Sequence, residues 1–267
     1  MTPLHAARLQ GEALFAASMP RAYHAALRLR GRSNPMKVLL AGLTRRGDVA
    51  FDVGANRGLF TALMSNIAGP GGRVHAFEPS PATSGLLRAT LAVRARTPEN
   101  VIVNVVATGA GDGAATLHTP QRDHGQASLK THETGSWAGV TAVQHTEVAL
   151  IRLDSYVAAQ RITRVDVVKM DIEGAELPAI RGFAGGLRAF HPVVVCELCA
   201  AWTRAFGYEP GAVIAELARS GYTAFHVVTP RGDLTPLGDP AALDDGESRD
   251  IVASTGAHAR RVRRLVR

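Results

Sequence analysis

Cysteine is scarce in this 267-residue sequence: Cys196 and Cys199 are the two it has. Two thiols cannot build a disulfide framework. With no second Cys pair, Cys196-Glu-Leu-Cys199 also lacks the partners of a four-thiolate metal site. Both are expected to be buried, inert thiols, and a reducing cytoplasm is the expected compartment. Long apolar runs are missing too. No stretch approaches the roughly 18 uncharged apolar residues of a membrane span. The first twenty residues carry Arg8 and Glu12 without a compact apolar core, which argues against a signal peptide. There is no Gly-x-Ser-x-Gly, so no serine has a nucleophile-elbow context. No internal repeat or interdomain linker is visible, and His75, His118, His191 and His226 are scattered in or beside expected strands as packing residues.

What is plentiful is positive charge, a net +7. Much of it lies in His258-Ala-Arg-Arg-Val-Arg-Arg-Leu-Val-Arg267. No aromatic side chain is interleaved there, so a base-stacking surface is not indicated, and residues 257–267 read as a solvated basic tail. The 46% apolar content is that of an ordinary globular chain, long enough for one α/β domain with an appendage.

The chain is organised around Val49-Ala-Phe-Asp-Val-Gly-Ala-Asn-Arg-Gly-Leu-Phe-Thr61. An apolar run ends in Asp52, passes Gly54, Asn56 and Gly58, and continues as an apolar helix start, the first half of a βαβ unit. Gly54 and Gly58 leave room for a ligand against the backbone, and the helix start adds N–H donors. The next strand, Arg73-Val-His-Ala-Phe-Glu78, ends in an acid placed to accept from a ribose diol. A dinucleotide fingerprint would need glycine where Asn56 and Leu59 stand. Asp52 would repel a pyrophosphate and attract a methionyl ammonium.

Residues 1–45 read as a helical segment, with one helix from Pro20 to Arg30 closed by Gly31 and another over Met36–Leu43 capped by Asn34. The segment would dock on the sheet edge, cover the active site or form a dimer contact. A domain over 46–256 follows. Its strands are expected near 48–53, 73–77 and 101–106, with helices near 58–67 and 81–94. Residues 107–150 break the rhythm. They form an insertion with short strands at Ala114–His118 and Thr146–Ile151, of a length that suits a substrate lid. Gly125–Gly139, with His124, Ser128, Lys130, His132 and Trp137 in or beside it, is the candidate acceptor wall; a floppy surface loop is the rival reading. Alternation resumes with a strand over Val165–Ile172, a helix over Ala175–Ala189 and a strand over Pro192–Leu198. A helix over Glu209–Ser220 and a closing strand pair, Thr223–Thr229 and Asp250–Ser254, complete it. The loop between those two strands contains Pro230, Gly232, Pro236, Gly238, Pro240 and Gly246.

The second chemical stretch is Lys169-Met-Asp171-Ile-Glu173-Gly-Ala-Glu176. Strand alternation puts Lys169 and Asp171 on one face, and Glu173 lies where the chain turns into the next helix. Asp52 would then share a crevice with Asp171 and Glu173 at the switch point of the sheet. Either acid suits deprotonation of a hydroxyl, with Lys169 steadying the alkoxide. Alternatively, Asp171 and Glu173 hold a divalent metal. A structural role is also open, with Lys169 paired to Asp171 or Glu197 and Glu173 capping the helix.

Taken together, these stretches resemble the FkbM family of S-adenosylmethionine-dependent methyltransferases over about Gly47–Ser254. The resemblance rests on Phe51-Asp-Val-Gly-Ala-Asn56 with Gly58, Phe77-Glu-Pro79, Leu153-Asp-Ser155, Lys169-Met-Asp-Ile-Glu-Gly-Ala-Glu176 and Pro192-Val-Val-Val-Cys-Glu197. It implies a Rossmann-like class I fold, a mostly parallel seven-stranded sheet with a closing antiparallel strand. S-adenosylmethionine would be the cofactor and a hydroxylated metabolite or sugar the methyl acceptor. Asp52, Gly54, Asn56 and Gly58 would surround the methionyl part, Glu78 and Ser80 the ribose, and Val106–Thr108 the adenine. Arg152, where the family usually has threonine, and Pro178, early in a helix, depart from the pattern. A nitrogen or nucleic-acid acceptor and a non-catalytic binding protein are the alternative functions, and a homo-oligomer is left open.

Overall fold

The apolar run that ends in Asp52 forms β1 (Val49–Val53), and the reason is burial on both faces: four of its five residues are inaccessible. The computed structural model describes residues 3–31, 33–121, 124–133, 137–140, 142–245 and 247–266. Of the positions singled out above, residues 134–136, Gly246, Arg267 and the His124 side chain lie outside that description.

Three helices come first, α1 (Pro3–Ser18), α2 (Pro20–Arg30) and α3 (Pro35–Leu43). After β1 the chain forms α4 (Leu59–Ala68), β2 (Arg73–Phe77), α5 (Pro81–Arg94) and β3 (Val101–Asn104). The insertion contributes β4 (Ala107–Thr108), β5 (Gly113–Pro120) and β6 (Val143–Ile151). Then follow α6 (Leu153–Ala159), β7 (Val167–Met170), α7 (Glu176–Arg181), α8 (Ala184–Phe190), β8 (Val193–Leu198) and α9 (Ala200–Thr203). The last elements are α10 (Gly211–Arg219), β9 (Ala224–Val228), β10 (Leu234–Pro236), β11 (Arg249–Ser254) and α11 (Ala259–Arg263).

The main sheet has the order β10-β9-β11-β8-β7-β1-β2-β3, parallel from β8 to β3 and antiparallel where β11 and β10 join. It is the expected α/β arrangement with eight strands in place of seven. The extra strand is β10, inside the stretch read as a loop. Leu234 is fully buried there, and Pro236 is tolerated because β10 is an edge strand. One expected helix, Ala175–Ala189, is two. The Asp154 carboxylate accepts from the N–H groups of Gly185 and Gly186 at 2.9 and 2.8 Å, which starts α8 separately from α7. Pro178 sits in the first turn of α7, where its missing N–H costs nothing.

Both faces of the sheet are covered. Phe51, Val53, Phe77, Val168, Met170 and Cys196 face α6, α7, α8 and α10. Ala50, Val74, Val167, Val193 and Val195 face α3 and α4, with Tyr23 and Leu27 of α2 behind them. The N-terminal helices are therefore one wall of the core. The basic end of the chain is another correction. Val262 and Leu265 are buried in the same cluster, and Arg261 donates to both oxygens of buried Asp48 at 2.9 Å. A fork of guanidinium on carboxylate together with two apolar anchors makes this segment packed structure, not a solvated tail. Cys196 and Cys199 are buried, and neither is in a disulfide.

Candidate active site

The cleft lies at the carboxyl ends of β3, β2, β1, β7 and β8, across the point between β1 and β7 where the strand order reverses. Its empty volume, solvent mouth included, is about 800 Å³.

The turn after β1 is shaped by its neighbours. Gly54 has φ +75°, and a Cβ there would stand 1.8 Å from the Asp171 carbonyl oxygen. Gly58 has φ +77°, and a Cβ there would meet the Leu87 side chain at 2.9 Å. Both glycines were expected to make space for a ligand. What fills that space is protein, the loop after β7 at Gly54 and helix α5 at Gly58. Gly54 still borders the cleft through its backbone.

Asn56, at φ +48°, turns its N–H onto Glu78 Oε2 at 2.9 Å, and the Ser80 N–H donates to Oε1 at 3.0 Å. Glu78 is buried, lines the cleft and is aimed by two backbone donors, with burial pushing its carboxyl pKa upward. The Ser80 hydroxyl instead caps α5 by accepting from Thr83 N–H at 3.2 Å, so Ser80 acts here through its N–H, by orienting Glu78. Val106, Ala107 and Thr108 wall the cleft beyond Glu78, and Thr108 Oγ1 is buried with no partner among the described residues.

Asp52 and Lys169 depart furthest from expectation. Asp52 is wholly buried behind the cleft wall, accepting from Thr61 Oγ1 at 2.6 Å. Its Oδ1 lies 3.4 Å from Lys169 Nζ, which is also 3.3 Å from Asp171 Oδ2 and 3.2 Å from Gly54 O. Burial works against the Lys169 charge, but Asp171 and Asp52 outweigh it and its pKa is raised. For Asp52 burial wins, and its pKa is raised despite the ammonium. With three acceptors around three N–H bonds, Lys169 ties β1 to β7 and orients Asp171. It is not free to meet an alkoxide, and Asp52 is not placed to touch a ligand ammonium.

Asp171 and Glu173 both line the cleft, Glu173 at φ +54°. The helix cap proposed for Glu173 is not made, because α7 has no side-chain cap; its first residue, Glu176, is buried and accepts from Ile172 N–H in the preceding loop at 3.0 Å. Burial lifts the Glu176 carboxyl to about 7. Sequence reasoning missed Glu197, treating it as a partner for Lys169. It lines the cleft with Asp171, and burial followed by the nearby Asp171 charge lifts its carboxyl to about 8. The Ser248 hydroxyl donates to it. The signal was present: an acid at the carboxyl end of an otherwise apolar parallel strand beside the switch point.

The insertion folds over this cleft. β4, β6 and β5 form a separate sheet, and Gly125, Ala127, Ser128 and Leu129 from its loop line the cavity. Asn56 Nδ2 donates to Gly125 O at 3.3 Å, Ser128 Oγ to Glu173 O at 2.9 Å, and Trp137 Nε1 to Gln126 O at 3.1 Å. His132 and Trp137 brace the wall from behind. His132 Nε2 lies 2.9 Å from Ser128 Oγ with its ring against Trp202, and burial lowers its pKa to about 4. Lys130 and Arg152 do not line the cavity; Arg152 sits at the start of α6, its N–H donating to Asp112 at 2.6 Å.

The residues suit the donor implied by the resemblance. Glu78 matches a ribose diol, the apolar wall at Val106–Thr108 matches a base, and Asn56 Oδ1 and Thr108 Oγ1 are buried acceptors awaiting partners. Among the described residues no group of three or more His, Cys, Asp or Glu is arranged to hold a metal ion.

Comparison with known proteins finds relatives over much of the chain. The chain is 32% identical over 160 residues to the 31-O-demethyl-FK506 methyltransferase FkbM of Streptomyces tacrolimicus, covering 52% of this chain and 60% of that protein. It is 28% identical over 168 residues to the hexuronic acid methyltransferase AglP of Haloferax volcanii, covering 62% of each. The chain thus spans about three-fifths of the length of these curated relatives. Among solved structures, methyltransferase FkbM from Methylobacillus flagellatus matches at 14% identity with a TM-score of 0.46, over 94% of this chain and 58% of that one. The model of the methyltransferase FkbM domain matches residues 52–224, and the chain belongs to the FkbM methyltransferase family.

Proposed function

We propose that this protein transfers a methyl group from S-adenosylmethionine to a hydroxyl of a small metabolite or sugar. One observation carries the reading: a carboxylate aimed for a ribose diol, Glu78, and a carboxylate placed to take a proton, Asp171, line one cavity. The donor supplies a methyl group already activated on sulfur, so the chain's work is positioning and proton removal. Glu78 holds the ribose, and Val106–Thr108 pack on the base. Asp171, steadied by Lys169, takes the proton of the acceptor hydroxyl with Glu173 and Glu197 beside it. The loop at Gly125–Leu129 excludes water. Of the two relatives, the one named as a 31-O-demethyl-FK506 methyltransferase supports an oxygen as acceptor, and the one named for a hexuronic acid supports a sugar. The packing of Arg261, Val262 and Leu265 weakens the case for a nucleic-acid acceptor, which rested on a free basic tail.

Thermal unfolding with S-adenosylhomocysteine tests the reading. At a hundredfold excess over its dissociation constant the product adds about 2.7 kcal/mol of stability. NAD adds none. Labelled methyl transfer to a panel holding a hexuronic acid glycoside and a hydroxylated macrolide then assigns the acceptor. No stabilisation by S-adenosylhomocysteine rejects the proposal.

A further inference from the structure

The donor's amino-acid end carries an ammonium and a carboxylate, and neither Asp52 nor Lys169 is available to receive them. The strand order locates where that end must lie. Val106–Thr108 follow β3, Glu78 follows β2, Gly54–Asn56 follow β1 and Asp171 follows β7. From β3 to β7 the sheet advances three interstrand spacings, about 14 Å in all. A nucleoside over the first two positions therefore sends its 5′ substituent across the β1 turn toward β7.

A second recess opens there, of about 860 Å³ with its mouth, bounded by Gly54, Asn56, Arg57, Phe60, Gln126 and Asp171 among others. Asn56 and Gly125 border both cavities, joined by the hydrogen bond from Asn56 Nδ2 to Gly125 O. That bond fixes the amide so that Asn56 Oδ1 is left buried without a partner among the described residues. The adjacent Arg57 is exposed on the recess wall, and no described residue pairs with its guanidinium. Lys169, the other cation on that wall, is already neutralised by two carboxylates. An orphaned acceptor and an unpaired guanidinium on consecutive residues match the two charges of an α-amino acid.

We propose that Arg57 binds the α-carboxylate of the donor's methionyl tail while Asn56 Oδ1 accepts from its α-ammonium. This rests on the donor assignment above and adds what holds its charged end. Arg57 falls outside the glycines and acids by which the opening turn is recognised.

Two probes isolate the contact. S-adenosylhomocysteine carries the amino acid, and 5′-methylthioadenosine keeps the nucleoside and thioether without it. Calorimetric titration of the full chain with each compares the parent protein, Arg57→Met and Arg57→Lys. Arg57→Met is expected to weaken S-adenosylhomocysteine roughly 10- to 100-fold. It should leave 5′-methylthioadenosine within about twofold, with Arg57→Lys intermediate. Arg57 is exposed, so its variants should melt as the parent does. Equal affinity of Arg57→Met and parent for S-adenosylhomocysteine overturns the assignment, as it would if an acceptor carboxylate were the true occupant. Equal losses for both probes also overturn it, because the effect would then lie in the nucleoside cleft. A parent protein that binds neither probe sinks the donor assignment itself, a distinguishable failure.

Discussion

Replacing Lys169 with methionine separates a tethering lysine from one that serves the reaction directly. The substitution keeps the apolar stem and removes an ammonium with acceptors at 3.2, 3.3 and 3.4 Å. The two carboxylates then fare differently. The Asp171 side chain is 32% exposed and regains water, whereas Asp52 is 0% exposed and keeps only its bond from Thr61. Stranding one partner of a buried ion pair costs about 3–5 kcal/mol. That is a large share of the roughly 5–15 kcal/mol typical of a folded domain. The pH dependence has a definite sign. Burial already raises the Asp52 pKa, and loss of the ammonium raises it further, so the native variant keeps a proton that the unfolded chain releases. The penalty therefore shrinks as pH falls through the raised folded value, until the unfolded carboxyl also protonates near its ordinary pKa of about 4. Urea midpoints for the parent, Lys169→Met and the double variant Asp52→Asn/Lys169→Met, at about pH 8 and about pH 5.5, measure all of this. The double variant should recover much of the loss at the higher pH, because it removes the stranded charge. A single variant within about 1 kcal/mol of the parent, or a double variant no more stable than the single, would refute the reasoning.

Arg261→Met leaves Asp48 buried with Arg164, whose side chain is 57% exposed, 3.6 Å away. A loss of about 2–4 kcal/mol in chemical unfolding is expected, against no change for a solvated tail. Glu197 bears a different pH signature. Its carboxyl, raised to about 8, holds a proton in the native state that the unfolded chain releases near 4. Stability should therefore fall as pH rises between about those two values, and Glu197→Gln should flatten the decline. An unchanged slope in that variant counts against a protonated Glu197.

The alternation of strands and helices, the switch point and the pairing of a glycine turn with a distant acid at Glu78 were all legible in the sequence. Those signals are local: apolar runs of strand length, turn residues and an acid at a strand end mark themselves within a few residues. The strand β10 was hidden because Pro236 and the surrounding glycines read as loop, while the burial of Leu234 depends on β9 and on the far end of the chain. Arg261 likewise looked like one of several solvated arginines until Asp48, more than two hundred positions earlier, came beside it.

Sequence by itself determined the fold class and which stretches meet at the carboxyl ends of the strands, since periodicity and turn chemistry act over a few residues. Tertiary structure alone decided who faces the cavity. Asp52 and Lys169 satisfy each other behind the wall of the nucleoside cleft, Lys169 bordering only the adjoining recess, and Gly54 and Gly58 yield their space to Asp171 and Leu87. Glu197 instead joins Asp171 at the cavity surface. The physical reason is that a charge's role follows from its nearest counter-charge and its distance from water, and both are set by strands far apart in the chain.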